Sequence, residues 1–135
     1  MESPLNIILM VLGLLAAAPP PSAGWELVGQ AGPLRMVYIE PARVKDTKFL
    51  AKVVDELLHR FGTEMPLQFD FFDDREQTPA ARPYTASQIA HHRAKFNFNP
   101  KNGLRRFVWV SYETLDPNQP AKLKLNETEE RLPSP

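Results

Sequence analysis

Asp73 and Asp74 close an apolar run, and His91 and His92 stand side by side further along the chain. Carboxylate oxygens and imidazole nitrogens together suit a divalent cation, so Asp73, Asp74, His91 and His92 form the candidate metal set. Their spacing matches no metal motif, and neighbouring residues on a helix point about 100° apart, so both imidazoles cannot easily aim at one ion. The plainer reading is that Asp73-Asp74-Arg75 ends a strand and opens a turn, where aspartates accept from nearby amides. One histidine ring would then pack under a sheet with a hydrogen-bonded tip, and the other would face water. A carboxylate-histidine pair can act as a general base, but no Ser, Thr or Cys stands in a nucleophile setting, and no catalytic residue is assigned.

The elements that must position these residues can be read from pattern. Leu34–Glu40 (LRMVYIE) is expected as a strand ended by Pro41. Asp46 offers an N-cap to a helix whose apolar residues Phe49, Leu50, Val53, Val54, Leu57, Leu58 and Phe61 share one face, with Gly62 as its stop. Leu67–Asp73 alternates as a second strand. Thr85 and Gln88 form a capping box, with Tyr84 as staple on Ile89, and predict a second helix to about Phe96. Arg106–Tyr112 is a third strand, and Lys122–Leu125 a short edge strand whose lysines would discourage pairing with another chain. The expectation is a single small α/β domain, β-α-β-α-β with a further edge strand: two helices packed on a three- or four-stranded sheet, with α+β as the other arrangement.

If the first two strands are parallel, Glu40 comes near Asp73 and Asp74 on the edge where open α/β sheets take up ligands. The candidate ligand-binding residues are therefore Glu40, Asp73, Asp74, His92 and Trp109. Most of the aromatic set Phe69, Phe71, Phe72, Phe107, Trp109 and Tyr112 is needed as core, and Phe72 and Trp109 are the ones to inspect for exposure.

Composition narrows the classes. Sixteen Lys and Arg balance sixteen Asp and Glu without clustering, which argues against nucleic acid as a partner. With no cysteine there is no disulfide, thiol chemistry or cysteine-ligated zinc. The run from Leu5 to Ala18 is shorter than a spanning helix needs and is followed by small residues, so 1–23 is expected to be a signal peptide cut after Ala23. An uncleaved inner-membrane anchor over 5–18 is the alternative, and would be the chain's one membrane contact. A linker over 24–33, a domain over 34–126 and a flexible tail over 127–135 complete the expected organisation. The sequon Asn126-Glu127-Thr128 is too short a pattern to carry weight.

Phe71-Phe72-Asp73-Asp74, Thr85-x-x-Gln88, His92 and Arg93-Ala94 resemble a pattern in small exported bacterial proteins to which no activity is assigned. The resemblance covers about a third of the chain and implies export and a single domain, with no substrate or cofactor. The expected function is a non-catalytic periplasmic or secreted domain that binds a protein or envelope component. A small metal-dependent enzyme with a carboxylate-histidine site at the sheet edge is the alternative.

Overall fold

The computed structural model describes residues 23–116, 118–119 and 122–134, so the apolar run expected as leader or anchor lies outside the described residues. Six strands form one mixed sheet in chain order: β1 (Trp25–Ala31), β2 (Leu34–Ile39), β3 (Leu67–Phe72), β4 (His92–Asn99), β5 (Leu104–Thr114) and β6 (Leu123–Glu130). β2 and β3 are parallel, in register from Leu34↔Gln68 to Tyr38↔Phe72, and all other neighbours are antiparallel. The parallel pair is joined by a turn of 3-10 helix at Pro41–Arg43 and by α1 (Thr47–Phe61), the one long helix among the described residues.

α1 forms where the periodicity places it. Asp46 caps it by accepting from the Phe49 amide, and Gly62, at φ 84°, ends it where other residues would be strained. Its buried face of Leu50, Ala51, Val53, Val54, Leu57 and Leu58 covers Val37, Ile39, Phe69, Phe71, Phe96 and Phe107 of the sheet. Leu132, beyond β6, packs against this same core, so part of the segment expected as a flexible tail is tied down.

Two expectations about the fold are overturned, and a two-helix layer on a smaller sheet is replaced by a mostly β architecture. The segment read as linker is β1, and its Trp25 and Leu27 join the core. Gly24, Gly29 and Gly32 hid it, because each looks like loop chemistry. Gly32, at φ 58°, makes the tight turn into β2, and Gly29 lies where the backbone of Ala80 leaves no room for a side chain. The second predicted helix is only the single turn α2 (Ala86–Ile89). Its capping box forms, with Thr85 Oγ1 accepting from Gln88 and Gln88 Oε1 accepting from Thr85. The chain then extends as β4, because Ala94, Phe96 and Phe98 alternate with Arg93, Lys95 and Asn97 and give β3 the partner its other edge needs. The last strand is also longer than expected, running on through Glu127 to Glu130.

The face of the sheet opposite α1 is covered on one half by the strap from Asp73 to His91. Pro79 is fully buried under it, and Tyr84 packs with Phe72, Leu34 and Met36. The other half carries ion pairs linking Lys95, Glu127, Arg106 and Glu129, with Val108 in register between them and fully buried.

Candidate functional site

The structure splits the predicted set into two places. Asp73 remains at the C-terminal edge of β3, where its Oδ1 meets His91 Nδ1 at 2.8 Å and its Oδ2 accepts from Arg93 Nε at 2.6 Å. Its backbone amide also donates to His91, so both ends of the strap are clamped together. Asp74 takes the turn role, with Oδ1 accepting from the Gln77 amide and its carbonyl accepting from Thr78 Oγ1. Glu40 follows β2 on the same edge, and its charge and those of Asp74 and Asp73 are felt by Tyr38. Burial first, then those charges, push the Tyr38 hydroxyl above its ordinary value.

His92 points elsewhere. An irregularity in the β3–β4 pairing opposite Phe71 and Phe72 puts its ring on the strap-covered face, stacked on Phe72 at 4.8 Å and buried. Nδ1 lies 2.9 Å from the Tyr112 hydroxyl, while Nε2 lies 3.6 Å from Asp70 Oδ1 and has no hydrogen-bond partner among the described residues. Asp70 is itself buried, accepting from the Tyr84 hydroxyl at 2.6 Å and from Gln68 Nε2 at 2.9 Å. Reading the sequence missed Asp70, Tyr84 and Tyr112 as a unit with His92. The signal available was a carboxylate between Phe69 and Phe71, on a strand whose other face had to be covered as well.

Burial alone would raise the Asp70 carboxyl, but His92, Tyr84 and Gln68 more than offset it and hold it below the ordinary value. The unfolded chain therefore takes up this proton more readily than the folded one. The stability Asp70 contributes is present above about pH 4 and is lost as the pH falls through the folded value. The tyrosines behave in the opposite sense. Burial, then the Asp70 charge, raises both the Tyr84 and Tyr112 hydroxyls. All three tyrosines of the chain are thus held protonated by folding, an effect complete below about pH 10 and lost at higher pH. A spectrophotometric titration is expected to show tyrosinate appearing only above that range, together with loss of the fold. An early component from any of the three would contradict the buried arrangement.

The β4–β5 ladder stops at Ala94↔Trp109, whereas β5 and β6 stay paired as far as Thr114↔Leu123. The β5–β6 ribbon thus projects past the sheet, leaving a notch. An open depression of about 710 Å³ occupies it, lined by Val44, Lys45, Asp73, Arg93, Trp109 and Val110. A scan against protein-family models finds no match for the chain, and searches of curated proteins and of solved structures return none.

The notch unites two of the predicted ligand-binding residues, Asp73 and Trp109, and adds Lys45 and Arg93. His92 is excluded, being buried on the strap-covered face. Trp109 is positioned by Phe107, edge to face at 4.9 Å, and by its indole N–H donating to Glu130 Oε1 at 2.8 Å. Among the described residues no three His, Cys, Asp or Glu side chains come together as metal ligands would. The reason is geometric: Asp73 is engaged by His91 and Arg93, while His92 pairs with Asp70 on the other face. What the notch offers is the Lys45 ammonium, the Arg93–Asp73 ion pair, an indole and valine walls.

Proposed function

We propose that this chain is a non-catalytic binding domain of the bacterial envelope, exported by its N-terminal segment, which takes a segment of a protein partner into the notch at the sheet edge. The observation that carries the reading is the open depression itself. It is lined by Lys45, Arg93, Asp73, Trp109, Val44 and Val110, and the Asp73 and Asp74 carboxylates beside it are bonded to structural partners. Lys45, with the Arg93–Asp73 pair beside it, set against an aromatic and aliphatic wall fits an acidic group next to an apolar side chain, the pairing of polar anchors and apolar lining common to recognition sites. The resemblance to exported proteins supports the location. Among the described residues no helix is long and apolar enough to cross a membrane.

The test is a photo-crosslinking amino acid placed at exposed Lys45, with Met65, at the opposite edge of the sheet and 71% exposed, as the control position. The expected result is a discrete envelope-protein adduct from position 45 that is lost when Arg93→Glu is added, and none from position 65. Equal adducts from both positions, or none from position 45, would overturn the proposal.

A further inference from the structure

β6 is an edge of the sheet, and no described strand pairs with its outer side. The opposite edge, β1, is blunted by a bulge between Leu27 and Gly29 and is held to the strap by Arg75, which donates to both oxygens of Glu26. β6 carries charged side chains but, among the described residues, neither a bulge nor a hydrogen bond to the strap. All eight of its residues pair with β5 without a register shift, and none is Gly or Pro.

Charge along this edge is segregated. Lys122 and Lys124 stand at its start and Glu130, which accepts from the Trp109 indole, at its end, while Glu127 and Glu129 are paired with Lys95 and Arg106 on the other face. The leucine at its centre, Leu125, is 40% exposed. Two copies paired parallel would set lysine beside lysine and glutamate beside glutamate. Paired antiparallel about Asn126, they would set Lys122 of each copy opposite Glu130 of the other, with Lys124 diagonal to the same carboxylate. Such a pairing is isologous and closes as a dimer rather than growing into a fibre.

We propose that β6 is a dimerisation edge, through which two copies of this chain pair antiparallel and join their sheets. The short strand expected from the sequence made the lysines look like a barrier to pairing. The full strand supplies the acidic half that turns them into a register.

Native mass spectrometry and light scattering on the full chain test this, with circular dichroism confirming that each variant is folded. The wild type is expected to be a dimer that weakens as salt rises. Lys122→Glu with Lys124→Glu in one chain, and Glu130→Lys in another, should each weaken self-association at least about tenfold. An equimolar mixture of the two should recover a heterodimer. Leu125→Glu, at a solvent-facing position, should give the monomer independently of the lysines. A monomeric wild type, or a dimer that survives both charge reversals and Leu125→Glu, would overturn the proposal.

Discussion

Replacing Asp70 with alanine is expected to cost about 1–3 kcal/mol of folding stability, the range for leaving a buried hydrogen-bonding group without its partner. The carboxylate is the acceptor for Tyr84 and Gln68 and the nearest anion to His92 Nε2, so its loss strands buried polar groups. Asp70→Asn keeps one acceptor oxygen and should lose less. It should also flatten the fall in stability below about pH 4, because the titrating group is gone. Chemical denaturation at neutral and acid pH measures both effects. An alanine variant within experimental error of the wild type would mean that the Asp70–Tyr84–His92 cluster is not formed.

Gly29→Val should act through the strap rather than through β1. A Cβ at position 29 would lie 2.5 Å from the Ala80 Cα, closer than real contacts occur, and the neighbour is backbone that cannot rotate away. Overpacking of this kind costs about 1–3 kcal/mol, and the cheapest relief is for the strap to lift. Trypsin is therefore expected to cut after Arg75 in the variant well before the wild type, while α1 and β3 stay protected. Unchanged proteolysis would show that the strap does not lie on β1.

These two residues also mark where the sequence was legible. α1 could be read because every signal for it is local: an N-cap, an apolar face at helical spacing and a C-terminal glycine. β2 and β3 were legible as apolar runs, and the helical connection between them implied the parallel pairing that brings Glu40 to the edge of Asp73 and Asp74. β1 was hidden because Gly29 serves a contact with Ala80, distant in sequence, and a glycine's reason for being small is invisible without its neighbour. β4 was misread because a genuine capping box promised a helix, whereas the Ala94, Phe96, Phe98 alternation answered to β3 and β5. The candidate site divides in the same way. Asp73 and Trp109 meet at the notch, but Arg93 reaches Asp73 only because its segment is a strand. His92 finds Asp70 and Tyr112 only because an irregular step in the pairing turns it to the opposite face.

Whether this is an exported binding domain or a metal-dependent enzyme is decided most directly by native mass spectrometry of the chain recovered from the periplasmic fraction of a Gram-negative host. The expected species has a mass beginning near Gly24 and holds no stoichiometric metal after exchange with excess Zn²⁺ or Mn²⁺. A full-length cytosolic species, or a bound metal that disappears in an Asp73→Ala, His92→Ala double variant, would contradict it.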